Sequence, residues 1–166
     1  MACARVVLGN TNANPLAPPR PQGIVKHLVD LEIYDEIWVL PVYKHMFSEK
    51  QQQAPFSHKM IMCQLAFEPL STPLCSIKVK AVERTVCLRR LKMNPKSSTG
   101  TADVLDSLRA SYPEITFAFA LGADTYAGLA SGKWRRAFDV AGHINNRFEV
   151  FARVGGGSVE TLLESE

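Results

Sequence analysis

The residues best suited to binding a ligand lie around one strand-to-helix turn late in the chain. Phe117–Leu121 is a wholly apolar run, typical of a strand buried on both faces of a parallel sheet, and a glycine ends it. Asp124 lies two residues beyond that glycine, where the carboxyl end of a strand in an open α/β sheet faces a ligand crevice. Beyond the next turn come Trp134, Arg135 and Arg136. A carboxylate, an aromatic ring and two cations could therefore surround one pocket.

Length and composition predict a single soluble domain. The chain has 166 residues, enough for one domain spanning 1–166 whose core needs no metal or disulfide. Hydrophobic residues make up 46% and charged residues 21%, which are ordinary values for a globular protein. The net charge of +3 is mild, and no run of lysine and arginine is long enough for a basic arm. Phosphate groups could be attracted, but no nucleic-acid partner is expected.

The four cysteines predict neither a metal site nor a disulfide framework. Cys3, Cys63, Cys75 and Cys87 form no CxxC pair and no spacing suited to zinc, so we expect buried or idle thiols in a reducing compartment. No apolar run approaches the roughly 20 residues of a membrane span, so no membrane partner is expected. The first apolar run starts within the first five residues, so we expect no signal or transit peptide. We expect a cytoplasmic protein, or an organellar one if a presequence has been removed.

The elements that must position these residues alternate between strand and helix. The first forty residues predict a strand, a polar proline-rich loop, a helix and a second strand: Arg5–Leu8, Gly9–Gln22, Ile24–Leu31 and Glu36–Leu40. This order is the signature of a right-handed βαβ unit. The middle of the chain predicts a polar loop at Val42–Gln53 and then a helix at Ser57–Phe67 with Ser57 as its N-cap. A third strand is predicted at Ile77–Val82, and the segment Glu83–Lys96 after it is hard to place. One interpretation puts an extra strand at Val86–Leu91.

The last third predicts a capped helix, the buried strand, two separate helical turns and a fifth strand. These are Ala102–Ala110, Phe117–Leu121, Thr125–Ala130 with Trp134–Ala141, and Phe148–Arg153. Five strands interleaved with helices indicate an open, mostly parallel, doubly wound α/β sheet with helices on both faces. The dinucleotide fingerprint GxGxxG is absent, so a dehydrogenase has no support.

Six segments in order over most of the chain match a set of known motifs: Leu8–Thr11, Ile37–Pro41, Ala54–Met60, Thr99–Leu105, Leu121–Thr125 with Lys133–Arg136, and Ala152–Gly155. In the same order, they are similar to a first-strand glycine loop, a second strand with terminal proline, A-x-x-x-H-R-x-x-M, S-Y-T-x-D-T-L, G-A-D followed by K-W, and R-P-G. These are the motifs of the nicotinate/nicotinamide mononucleotide adenylyltransferases, a family of the Rossmann-like nucleotidyltransferase superfamily, which the chain resembles.

The resemblance implies adenylyl transfer from ATP, with Mg²⁺, to nicotinate or nicotinamide mononucleotide, which gives a dinucleotide and pyrophosphate in NAD biosynthesis. By the same resemblance, Gly9, Asn10, Thr11, Gly122, Asp124 and Arg153 would bind ATP, and Thr101 and Trp134 would bind the mononucleotide. The sequence leaves open whether the protein forms a homo-oligomer or is a subunit of a larger assembly. A related cytidylyl or pantetheine-phosphate transferase would fit the fold but not the Lys133-Trp134 element.

The sequence departs from the family pattern at two motifs. The family's HxGH box falls at Pro21–Ile24, where both histidines are replaced, and His27 one turn later could substitute for the second as a catalytic group. The family's C-terminal SSTxxR box is not found after Arg153. Since each motif supplies donors to phosphates, the alternative is a catalytically impaired pseudoenzyme of the same fold, acting as a nucleotide-binding or structural subunit.

Each candidate also has a purely structural interpretation. Asp124 could cap the helix after it, Trp134 could be a core residue, and Arg153 and His27 could be solvated surface residues. The basic side chains of Lys44, His45 and Lys50, and of Arg89, Arg90 and Lys92, are expected to form solvated faces.

Overall fold

The computed structural model describes residues 4–11, 21–44 and 54–152. The strands within these ranges are β1 (Ala4–Thr11), β2 (Glu36–Pro41), β3 (Ser76–Val79), β4 (Thr116–Gly122) and β5 (Phe148–Phe151). The helices are α1 (Pro21–Asp30), α2 (Phe56–Phe67), α3 (Val82–Met93), α4 (Thr101–Ser111), α5 (Ala123–Ala130) and α6 (Ala137–His143). A single 3₁₀ turn, Glu68–Leu70, follows α2.

The strands form one sheet in the order β3-β2-β1-β4-β5, and every neighbouring pair is parallel. The chain builds outward from the central β1 through β2 to β3, and then returns to the other side of β1 for β4 and β5. Because parallel neighbours need crossover connections, helices must cover the sheet. The predicted doubly wound, parallel α/β fold is confirmed.

Two hydrophobic cores lie on opposite faces of the sheet. Side chains of successive strand residues point to opposite faces, so Ile37 and Val39 lie in one core and Trp38 and Leu40 lie in the other. The first core is completed by α1 and α2, and the second by α4, α5 and α6. In β4 the same alternation places Ala118 and Ala120 in the first core and the larger Phe117, Phe119 and Leu121 in the second.

The prediction of an extra strand at Val86–Leu91 is wrong. Residues Val82–Met93 form α3, whose Val86 and Cys87 are buried. The segment is rich in leucine, arginine, lysine, methionine and glutamate, which are all good helix formers. Its short apolar runs are compatible with either structure, so periodicity alone could not decide between them.

Several predicted boundaries also need correction. The strand β1 continues to Thr11, so Gly9 and the two residues after it are strand and not loop. The helix α1 begins at Pro21, because proline is well tolerated in a first helical turn. Ser57 is not the N-cap of α2, since the cap position is Pro55 and no side chain caps it. The third strand is only four residues long and ends at Val79.

The three cysteines within the described ranges, Cys63, Cys75 and Cys87, are buried free thiols, as predicted. Cys3 lies outside those ranges. A search of the same part of the chain finds no helix with the length and apolarity that a membrane crossing requires.

Candidate functional site

The sheet has a topological switch point between β1 and β4. The connection that leaves β1 leads toward β2, whereas the one that leaves β4 leads toward β5 on the other side of the sheet. Because these connections diverge, an open parallel sheet has a crevice beyond the carboxyl ends of the two strands, and ligands bind there. Leu8 pairs with Ala120, so the residues after each lie at the same edge.

The β1 side of this edge carries Gly9, Asn10 and Thr11. Gly9 pairs with Leu40 of β2, and the next pair joins Thr11 to Pro41, so the register shifts between Gly9 and Thr11. A shift of this kind leaves one residue outside the ladder, which frees its backbone groups for other partners. The loop that follows, 12–20, lies outside the described residues.

The β4 side carries Gly122 and Asp124. Gly122 is the last residue of β4 and the N-cap of α5, which begins at the next residue. Asp124 therefore lies in the first turn of α5, with its side chain exposed. A carboxylate at this position benefits from the positive end of the helix dipole. The structure places Asp124 beside the crevice, but not as the N-cap.

Thr101 is the first residue of α4 and is half-buried. The segment before it is polar, and among the described residues the hydroxyl oxygens of Ser97 and Thr99 are buried with no hydrogen-bond partner. Gly100 is the N-cap of α4, and its backbone N–H donates to Asp103 Oδ2 at 2.8 Å. The capping segment predicted before this helix is therefore present, with Asp103 supplying the side chain.

Trp134 lies between α5 and α6 and is half-buried. Its indole packs against the core formed by α4, α5 and α6 and passes close to Gly128, where a Cβ would lie 3.6 Å from Trp134 Nε1. The ring is thus partly covered by the protein and partly exposed. This arrangement is compatible with both the core interpretation and the ligand interpretation of Trp134.

Arg135 and Arg136, which the sequence predicted beside Asp124 around one possible pocket, are both paired with residues of α4. Both guanidinium groups pair with Asp103 of α4, and Arg136 Nη1 also donates to Asp106 Oδ2 at 2.7 Å. Hydrogen bonds from Arg136 lower the pKa of Asp106 below its usual range. The two arginines therefore fasten the α5–α6 connection to α4.

Arg90 was also misjudged as a solvated residue. Its Nη1 donates to Asp103 Oδ1 at 3.0 Å, so three guanidinium groups meet one carboxylate that is only 6% exposed. Sequence reasoning missed Asp103. The only available signal was its place in the S-Y-T-x-D-T-L resemblance, where it stands as the aspartate.

His27 lies in α1 with its side chain exposed. Its ring meets the ring of Phe151 edge-on, at 5.9 Å between centroids. Phe151 ends β5 and pairs with Gly122, so His27 lies toward the β4–β5 side of the sheet. Arg153, the other predicted phosphate contact, lies outside the described residues, as do His45 and Lys50.

A second polar group that sequence reasoning missed lies beyond the carboxyl end of β2. The buried Lys59 ammonium donates to the carbonyl of Val42, and the Glu83 carboxylate accepts the backbone N–H of Tyr43 at 3.1 Å. Burial raises the pKa of Glu83 to about 7 and lowers that of Lys59. These side chains hold the chain where it leaves β2. Within the described ranges, no group of three or more histidine, cysteine, aspartate or glutamate side chains could hold a metal ion.

Comparison with known proteins extends this description. No family model matches the chain. A protein of Anaeromyxobacter sp. (strain K) named probable nicotinate-nucleotide adenylyltransferase is 33% identical over 102 residues, which is 61% of this chain and 46% of that protein. A protein of the same name from Myxococcus xanthus (strain DK1622) is 28% identical over 99 residues, which is 60% of this chain and 45% of that protein. The chain spans about half the length of the curated relatives it matches.

Solved structures show the same fold. Plasmodium falciparum nicotinic acid mononucleotide adenylyltransferase complexed with NaAD superposes with a TM-score of 0.69 at 18% identity, over 99% of this chain and 71% of that one. The complex of that enzyme with APC gives a TM-score of 0.67 at 18% identity, over 99% and 70%.

The sheet order and the crevice at its switch point define a Rossmann-like fold of the nucleotidyltransferase type. The chain is also similar in sequence to proteins named probable nicotinate-nucleotide adenylyltransferase, so the predicted family resemblance is confirmed.

Proposed function

We propose that this protein transfers the adenylyl group of ATP to nicotinate or nicotinamide mononucleotide, which forms the dinucleotide and releases pyrophosphate. The observation that carries the proposal is the crevice between β1 and β4. It brings Gly9–Thr11 and Gly122–Asp124 to one edge of the sheet, in a chain whose sequence relatives bear the name of this activity. The relatives' names support the nicotinate nucleotide as the first substrate to test.

The reaction requires two substrates to meet in line. A 5′-phosphate oxygen of the mononucleotide attacks the α-phosphorus of ATP, a new phosphorus–oxygen bond forms, and the bond to the bridging oxygen breaks as pyrophosphate leaves. Such transfers depend mainly on positioning and on neutralising charge. Mg²⁺ enters bound to the ATP phosphates and is part of that substrate.

The proposed roles follow the two sides of the crevice. Backbone groups of Gly9, Asn10 and Thr11 would face the ATP phosphates, because the register shift leaves one of these residues outside the ladder. Asp124 would accept hydrogen bonds from the ribose of ATP beside Gly122. Thr101 and Trp134 would contact the mononucleotide. We assign phosphate contacts to Arg153 and His27 by the family resemblance.

The direct test is to incubate the protein with ATP, Mg²⁺ and each mononucleotide, and to measure dinucleotide and pyrophosphate. Formation of both products in equal amounts is expected. The proposal would be refuted by no product together with no change in melting temperature on adding ATP. A thermal shift without product would instead support the pseudoenzyme alternative.

Asp124→Asn tests the ATP side of the crevice. A hydrogen bond to a charged group contributes about 1.5 to 3 kcal/mol, so ATP should bind roughly 10- to 100-fold more weakly, measured by calorimetry. The melting temperature should change little, because the side chain is exposed and Gly122 is the N-cap. The matched control is Asp30→Asn, an exposed aspartate at the end of α1. Lost stability with unchanged ATP binding would assign Asp124 to the helix alone.

The cytoplasmic location, the absence of nucleic-acid and membrane partners, the single-domain organisation and the oligomeric state stay predictions.

A further inference from the structure

Asp103 is the centre of a charged cluster that joins three separate segments. We call Asp103 with Arg90, Arg135 and Arg136 the Asp103 cluster. Arg90 comes from α3, and the other two arginines come from the connection between α5 and α6. The Asp103 carboxylate is 6% exposed and accepts from all three guanidinium groups.

One oxygen of Asp103 joins the two segments that carry the mononucleotide candidates. Oδ2 accepts the backbone N–H of Gly100, which directly precedes Thr101, and also accepts from Arg135, which directly follows Trp134. The carbonyl of Ser98 reinforces this link, because it accepts from Arg135 Nη2 at 3.3 Å and from Arg90 Nε at 3.2 Å. Contacts to the Asp103 side chain therefore tie the segment that begins at Thr101 to the segment that carries Trp134.

The backbone beside Trp134 is held in an unfavourable conformation. Arg136 has φ 61° and ψ 40°, in the left-handed region, which is unfavourable for a residue other than glycine. Its guanidinium bonds to Asp106 and Asp139 as well as to Asp103. Such backbone conformations persist where the surroundings hold them, and they concentrate near functional sites.

A buried charged group is a poor way to gain stability, since its desolvation offsets most of the attraction between the charges. It is a good way to hold one geometry, because a guanidinium and a carboxylate pair in few orientations. The Asp103 cluster has the features of a device that fixes geometry.

We propose that Asp103 is a positioning residue for the pyridine mononucleotide: it holds Thr101 and Trp134 at the separation that this substrate needs. The inference rests on the proposed function for its substrate. Asp103 does not touch the nucleotide in this proposal, but acts through Gly100 and Arg135.

Kinetics of Asp103→Asn test the positioning role. The amide keeps the size of the side chain but loses the charge that attracts three guanidinium groups. We expect the KM for the mononucleotide to rise roughly tenfold or more and the KM for ATP to stay within about twofold. The control, Asp30→Asn, lies on α1 at the opposite face of the sheet and should change neither constant. An equal rise in the KM for ATP and in the KM for the mononucleotide, or no change in either KM, would overturn the proposal.

Arg135→Gln provides a second variant in case Asp103→Asn does not fold. The Arg135 side chain is 42% exposed, so its loss threatens folding less, and it removes the same link between Trp134 and Asp103. The same selective rise in the mononucleotide KM is expected. A normal mononucleotide KM in this variant would count against the proposal.

A measurement without substrate separates this inference from the proposed function. The chain has two tryptophans, and Trp38 is only 1% exposed, so acrylamide quenching of tryptophan fluorescence reports mainly on Trp134. Asp103→Asn and Arg135→Gln should increase quenching, whereas Asp30→Asn should not. Unchanged quenching would overturn the positioning role whatever the activity. If the wild-type protein forms no dinucleotide, the proposed function is refuted. The quenching measurement still decides whether Asp103 and Arg135 hold Trp134 in place, because it needs no substrate.

Discussion

Glu83 gives the protein a pH dependence of stability that can be worked out from its surroundings. The carboxylate accepts the backbone N–H groups of Tyr43 and Lys44, and the buried ammonium of Lys59 is its charged neighbour. Burial outweighs these favourable contacts and raises the pKa of Glu83 from 4.5 to about 7. We consider the replacement Glu83→Gln, which keeps the shape and the acceptor oxygen but cannot ionise.

The sign follows from proton binding. Between about pH 4.5 and 7 the folded protein holds a proton on Glu83 that the unfolded chain has released, so stability falls as the pH rises through this range. Below this range the contribution is fully present, and above it the contribution is lost. The pKa of Glu83 differs by about 2.5 units between the folded and unfolded protein, and each unit corresponds to about 1.4 kcal/mol. The full contribution of Glu83 to the unfolding free energy is therefore about 3 kcal/mol. About 2 to 3 kcal/mol of it should be lost between roughly pH 5 and 8.

The assay is urea unfolding of the wild type and of Glu83→Gln at several pH values. We expect the wild-type unfolding free energy, minus that of the variant, to fall by the stated amount as the pH rises. Titrating groups that do not interact with Glu83 cancel in this difference, and any constant offset leaves the slope unchanged. Glu114→Gln, at an exposed position, is the control for the substitution itself. A difference independent of pH would refute the reasoning, because it would show that burial does not favour the protonated form.

Two further predictions concern the packing of the sheet and of its edge. Phe119→Ala should lower the unfolding free energy by about 3 to 5 kcal/mol in urea unfolding, because Phe119 is 2% exposed in the core beneath α4. A loss below about 1 kcal/mol would show that this core is not packed as described. Tyr34→Phe should lower the unfolding free energy by about 1 to 3 kcal/mol in the same assay, because it removes the hydroxyl that donates a hydrogen bond to Glu149 of β5. A variant as stable as the wild type would show that this hydrogen bond contributes nothing to stability.

The two proposals place different demands on the crevice. The ATP side uses backbone at the ends of β1 and β4, which the sheet itself holds in place. The mononucleotide side uses Thr101 at the start of α4 and Trp134 in a connection between helices, and neither belongs to the sheet. An additional link is needed there, and the Asp103 cluster supplies it. This difference explains why the expected effect of Asp103→Asn is selective.

Much of the fold was predictable because the decisive patterns are local. The short apolar runs within Glu36–Pro41 and Thr116–Gly122 are typical of buried strands, because each is bounded by a proline or a glycine that favours the end of a strand. Their alternation with helices leaves few arrangements other than a parallel, doubly wound sheet. The segment Val82–Met93 was misjudged because its short apolar runs suit a strand and a helix equally.

By itself, then, the sequence determined the fold class and the family resemblance, and it nominated Asp124, Thr101 and Trp134 as candidates, because a strand end and a motif are contiguous in the chain. Only the tertiary structure decided which charges meet. Arg135 is 32 residues from Asp103, and their contact depends on how α4 and α6 pack together. Glu83 shows the same limit, because burial, and not the identity of neighbouring residues in the chain, sets its pKa.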